Sequence, residues 1–192
     1  MNNYLLLLAM LIAALPGQVN ASRWSIDSGK TDISFKVSNM KVMTVKGTFN
    51  NVKGEAAIDE SNISKSSVTA EVDANTVNTG NIKRDEHLRT ADFLDVATHN
   101  RMKFASTGLV VKEGRLKIHG NLTIRGVTKS TVLDAGVADE IEKELKSKSR
   151  CIITATTDIN RNDFGVDNNK ILTYGIGNKI YITLNIELVK EN

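Results

Sequence analysis

Cysteine, proline and aromatic rings are all scarce in this chain, and each scarcity excludes something. Its 192 residues hold one cysteine, Cys151, so no internal disulfide can staple the fold. The one proline, Pro16, lies near the N-terminus, so no proline-rich linker divides the chain and no proline interrupts a strand. Aromatic residues make up 5%, too few for the two girdles of an outer-membrane barrel, and the chain ends Lys190-Glu191-Asn192 without a terminal ring. The net charge of +3 is mild and dispersed. There is no basic stripe with interleaved aromatics, which argues against nucleic acid as a partner. No apolar run reaches the roughly 20 residues of a membrane-spanning helix. His87, His99 and His119 are widely spaced, and no His-x-x-x-His or Cys/His grouping supports a metal. Gly-x-Ser-x-Gly and phosphate-loop patterns are absent as well.

What is present begins with a leader. Leu5 to Leu15 is an unbroken apolar run, followed by Pro16-Gly17 and Val19-Asn20-Ala21. That is the order of an export signal, with cleavage expected after Ala21. Residues 1–21 are therefore read as the signal and residues 22–192 as one domain, long enough for a sizeable core. Within it, strand signals are dense. Ile33, Phe35 and Val37 alternate with polar residues, as do Val68, Ala70 and Val72, then Leu116, Ile118, Gly120 and Leu122. Ile180, Ile182, Leu184, Ile186 and Leu188 give the cleanest alternation. This period of two is that of half-buried strands. Asp59-Glu60-Ser61-Asn62 and Glu113-Gly114 read as turns; charged Asp139 to Lys148, with Ile141 and Leu145 four apart, allows one or two helical turns but reads first as a solvated hairpin tip. Cys151 reads first as a buried, inert thiol, with a reactive one the alternative. About eight or nine antiparallel strands suggest a sandwich or barrel, and a soluble barrel with its apolar face inward is favoured.

One stretch breaks the pattern. Val77 to Val96 carries Arg84-Asp85-Glu86-His87-Leu88 and Asp92-Phe93-Leu94-Asp95-Val96, two pieces with helical spacing between strand-rich halves. Asp92 is a candidate N-cap. These pieces resemble the central motif of the YceI-like family of exported lipocalin-like proteins. Trp24-Ser25-Ile26-Asp27, Ile33-Ser34-Phe35-Lys36-Val37 and Val45-Lys46-Gly47-Thr48-Phe49 are similar to that family's opening strands. Phe104-Ala105-Ser106, Gly120 to Lys129 and Arg161-Asn162-Asp163-Phe164-Gly165 complete the ordered set. The resemblance implies an all-β fold, an eight-stranded antiparallel lipocalin-like barrel with one or two short helices in the central connection. It further implies a long apolar cavity for a polyisoprenoid or similar lipid. Lys30-Thr31 and Asn39 stand where the family usually carries histidines, and His99-Asn100 where it carries an aromatic-Pro pair, so the family's histidine role is not carried over to this chain.

An eight-stranded barrel can be filled by side chains or can hold one small ligand. Few rings leave less volume to plug it. Burial is worth about 0.8 kcal/mol per CH₂, so one isoprene unit would contribute roughly 3–4 kcal/mol gross. Apolar length therefore suffices for binding. The expected cavity wall is Ile33, Phe35, Val37, Phe49, Phe93, Leu94, Phe104, Leu116, Ile118, Leu122 and Phe164, although Phe93, Phe104 and Phe164 also read as plain core. Arg84, Asp85 and His87 allow three readings: a scaffold turn closing one end, a polar mouth for a headgroup, or a catalytic or metal site. The reading adopted is the mouth of a periplasmic or secreted carrier. It would hold a long apolar lipid of polyisoprenoid, fatty-acid or amide type, for transport or storage. No catalysis, metal or cofactor is expected, no stable membrane span, and a homodimer is left open. The alternatives are an interaction module with a filled barrel, docking through its polar end, and a hydrolase using Asp85 and His87.

Overall fold

Strand follows strand along the computed structural model, which describes residues 21–39, 44–166 and 176–191. The strands are β1 (Ala21–Ile26), β2 (Asp32–Asn39), β3 (Thr44–Phe49), β4 (Val52–Asp59), β5 (Ser67–Asp73), β6 (Arg101–Lys112), β7 (Arg115–Ile124), β8 (Val127–Val137), β9 (Arg150–Asn160) and β10 (Ile176–Lys190). Helix α1 (Ile82–Arg89) lies between β5 and β6, and α2 (Ala138–Ser147) between β8 and β9. The expected export signal lies, but for Ala21, outside the described residues.

Ten strands make eight staves. β1 and β2 lie against opposite halves of β10, with Trp24 opposite Lys190 and Ile33 opposite Leu184. They form one stave bent at Asp27–Thr31. β3 and β4 pair with β2 and β1 respectively, a second stave bent at Asn50-Asn51, where Asn51 takes φ 57. Asparagine tolerates that left-handed conformation better than most residues. Each stave then runs antiparallel to its chain neighbour, and the last closes on the first. This is an up-and-down barrel, as the alternation and the resemblance suggest. Glu113-Gly114 turns the β6–β7 hairpin, with φ 53 and 73, the signature of a two-residue primed turn.

The strand faces sort the core into levels. At the lower end Trp24, Leu109, Leu116, Cys151 and Leu188 pack together. Trp24 is 0% exposed, and its indole N–H donates to Ser22 Oγ at 2.9 Å, which satisfies the polar edge of a buried ring. At the upper end Val77, Leu94, Ile124, Ile159 and Phe164 cluster, with Ile33, Val52 and Val72 between the two.

The sequence-based reading of two connections needs correction. Asp139–Lys148 is not a solvated tip. Ala138, Ile141 and Leu145 share one face of α2 and bury it in the lower core, while Glu142–Lys146 and Glu144–Lys148 pair along the exposed side at 3.0 and 2.7 Å. Acidic Asp139 and Glu140 in the first turn suit the helix dipole. One helix, α1, lies in the central connection as expected, and α2 stoppers the opposite end of the barrel. In the central segment only α1 is helical. Thr90–Val96 is a run of turns, in which Asp95 has φ 48, and Asp92 caps no helix. The N-cap in use is Asn81, whose side chain accepts from Arg84 N–H at 3.0 Å.

Candidate functional site

The inward faces of the upper and middle staves do not fill the barrel. They enclose a cavity of about 190 Å³. Two of the few rings lie over glycines, which keeps them against the wall. A Cβ on Gly47, opposite Phe35 across β2–β3, would fall 2.4 Å from Phe35 Cζ, and one on Gly120 would fall 2.3 Å from Phe104 Cζ. Only glycine permits that approach. Phe49 packs on Phe35 with ring centroids 5.4 Å apart.

Of the expected wall, Ile33, Phe35, Val37, Phe49, Leu94, Phe104 and Leu122 line the cavity. Leu116 and Ile118 do not: they belong to the lower core beneath it, because β7 starts beside α2 and reaches the cavity only at Leu122 and Ile124. Phe93 packs against the upper cluster without lining the cavity, and its edge meets the His87 ring at 5.0 Å. Phe164 is buried at the upper end and lines a groove outside. The sequence reading missed Val52, Val72, Met102, Ile124, Ile159 and the β10 residues Ile180, Ile182, Leu184 and Ile186, all cavity-lining. The β10 alternation is a signal that could have found the last four. Among the lining residues only Lys103 and Thr157 are polar, and the Lys103 ammonium reaches out to Glu71 at 3.1 Å.

The roof is the segment around α1. Leu88 and Leu94 face the cavity, tied by a Leu94 N–H to Leu88 C=O bond of 3.0 Å. Arg84, Asp85 and His87 do not converge on a mouth. Asp85 is buried and accepts from both the backbone N–H (2.9 Å) and the hydroxyl of Thr79. Arg84 donates Nε to Thr79 Oγ1 at 2.7 Å and Nη2 to Thr79 C=O at 2.9 Å. Both side chains are spent on one loop residue, and His87 Nε2 lies 3.3 Å from Asp92 on the exposed side. Arg89 adds bonds of 2.8 Å to the carbonyls of Asn75 and Val77. Arg125, at the β7–β8 tip, donates to Ala91 C=O at 2.6 Å and to Gly165 C=O. These cations strap the roof down.

Chemically the cavity can do one thing: take up hydrocarbon. Among the described residues no buried side-chain nitrogen or oxygen lacks a partner. None of the described residues forms a group of three or more His, Cys, Asp or Glu able to hold a metal. Among the described residues no helix is long and apolar enough to cross a membrane.

Comparison with known proteins bears on this geometry. A family model described as YceI-like domain matches residues 24–188. A UPF0312 protein of Vibrio cholerae serotype O1 is 31% identical over 183 residues, covering 94% of each chain. A UPF0312 protein of Shewanella denitrificans is 34% identical over 166 residues, 83% of this chain and 86% of the other. Among solved structures, the Campylobacter jejuni YCEI protein is 26% identical with a TM-score of 0.64, covering 79% of this chain and 88% of that one. A polyisoprenoid binding domain from Saccharophagus degradans, 18% identical, superimposes with a TM-score of 0.62 over 88% and 98%.

Proposed function

The chain belongs to the YceI-like family, and on that premise we propose that it is an exported, non-catalytic carrier of a long apolar lipid of polyisoprenoid type. The observation that carries the reading is the cavity wall: aliphatic and aromatic residues from all eight staves and the roof, with Thr157 the one polar group not turned outward. Such a wall offers dispersion and water exclusion and nothing else. The superposition with a domain described as polyisoprenoid-binding supports the same class of ligand. The leader Leu5–Ala21 supports export, which delivers the protein to an aqueous compartment where a free polyprenyl chain is insoluble.

Size refines the reading. An apolar cavity of roughly 150 Å³ stays dry and admits a benzene-sized guest. The 190 Å³ here therefore encloses a short stretch of chain, on the order of one or two isoprene units. At about 0.8 kcal/mol per CH₂ this is roughly 4–8 kcal/mol gross, most of which association costs offset. Useful affinity needs a longer contact than the enclosed space provides.

Organic extraction of the purified protein followed by mass spectrometry is expected to yield a long-chain apolar lipid in near-stoichiometric amount. The delipidated protein is expected to bind a fluorescent polyprenol equally well with and without EDTA. If neither extraction nor titration finds a lipid, the barrel is a scaffold and the interaction-module reading replaces this one.

A further inference from the structure

A chain longer than the cavity must leave it somewhere. The lower end is filled by Trp24, Ile141 and Leu145. The roof is strapped by Arg84, Arg89 and Arg125. Among the paired strands, one junction is far weaker than the rest. β8 and β9 are joined at a single ladder position, Asp134 opposite Thr156. By contrast, β9 and β10 pair without a break from Asn160–Lys179 to Arg150–Val189.

The cause is local. The β7–β8 register slips between Lys117–Asp134 and Arg115–Val137, which places an extra residue in β8. Gly136 takes φ 101 there, a conformation that favours glycine, and its N–H donates to Asp134 Oδ1 at 3.2 Å. From β7, Arg115 and Lys117 hold the same carboxylate at 2.9 and 2.8 Å. Such a bulge bends a strand and ends its pairing on one side. β8 stays in register with β7 on both sides of the bulge and meets β9 only at Asp134. Beyond the one ladder position, the gap is spanned by a 2.9 Å bond from Thr157 Oγ1 to Val132 C=O.

Outside the gap lies a groove of about 710 Å³. Thr157, Ile159 and Ile182 line both this groove and the cavity, so one layer of side chains separates the two. The rim is polar, with Lys36, Lys129, Ser130 and Asn160. We propose that a long lipid crosses the barrel wall between β8 and β9, its apolar chain in the cavity and its hydrogen-bonding polar head in the groove. This rests on the carrier reading above. Opening the seam disrupts one ladder position and one side-chain bond, where any other line around the wall would break several ladder bonds.

Ser130→Cys and Asn160→Cys, in a Cys151→Ala background, place thiols on either rim of the groove. A cleavable bis-maleimide joining them is expected to slow uptake of a polyprenol with a fluorophore on its head by roughly tenfold or more, with recovery on cleavage. The same linker across Ser34→Cys and Thr48→Cys, paired residues of the unbroken β2–β3 ladder, is expected to leave uptake unchanged. Equal uptake by seam-linked and unlinked protein overturns the route and leaves the carrier reading standing. Slowing by the control link overturns the route as well, since stiffening alone then accounts for the effect. No uptake by unlinked protein overturns both. Should the double variant fail to fold, Lys129→Cys alone can carry a fluorophore at the exposed rim. A nitroxide on the lipid head is expected to quench it and one at the far end of the chain is not; the reverse pattern overturns the proposal.

Discussion

Cys151 is reactive by type and inert by position. It is 4% exposed on β9, in the lower core beside α2. Burial, helped by Glu144, pushes its thiol up to about 11 from an ordinary 9.0. The thiolate is the reactive species, so the folded protein is expected to resist alkylation at neutral pH and the unfolded protein to react at once. The same shift makes a statement about stability. The unfolded thiol loses its proton near pH 9.0, the folded one near 11, so between them the unfolded chain binds fewer protons. The stabilisation is whole below pH 9.0 and is lost as pH rises through 11, by up to about 3 kcal/mol. Denaturant titrations across that range should show a steeper alkaline fall in the parent than in Cys151→Ala; matched slopes would acquit the thiol. At this scale the sequence was legible in part. Alternation marks Phe35 and Phe104 as inward, but nothing local says that Gly47 and Gly120 lie beneath them, because that depends on register between strands.

The connecting elements were harder to read than the strands. A period of two is visible in five residues, whereas α2 offers only Ile141 and Leu145 amid a charged run. What decides for helix is the lower end of the barrel, which those two side chains fill, and no window of sequence contains that end. The central segment misled in the opposite direction. Its charges look like a mouth because arginine and aspartate are the residues of headgroup sites. The same residues also satisfy loop backbone, and here Thr79 takes up both Arg84 and Asp85. Arg84→Ala is therefore expected to remove two hydrogen bonds from the roof, lower the melting temperature, and weaken anionic and neutral lipids by the same factor. Net hydrogen-bond contributions of about 0.5–1.5 kcal/mol each put the destabilisation at roughly 1–3 kcal/mol. A melting temperature left unchanged, with a selective loss of anionic lipid, would restore Arg84 to the mouth.

Taken whole, the barrel was legible as a count of alternating runs, while its interior was not. Eight staves are compatible with a filled or a hollow lumen, and the outcome turns on which rings lie flat against glycines. The seam was equally hidden, since one extra residue near Gly136 leaves no mark in the alternation of Val132 to Val137. Its consequence can be measured without any ligand. The Val132 carbonyl faces β9, and by the two-residue period Ser130 turns its backbone the same way. Neither residue has a ladder partner on β9, whereas the backbones of Lys129 and Thr131 turn the other way, to β7, where they lie opposite Leu122 and Gly120. Amide exchange should therefore alternate along β8, fast at Ser130 and Val132 and slow at Lys129 and Thr131. Amides along the unbroken β9–β10 ladder should match the slow class, because exposing them requires opening that reaches toward global unfolding. If Ser130 and Val132 are instead as protected as their neighbours, the strands close in solution. The wall then has no weak line, and a lipid longer than the cavity would have to pass through an end of the barrel.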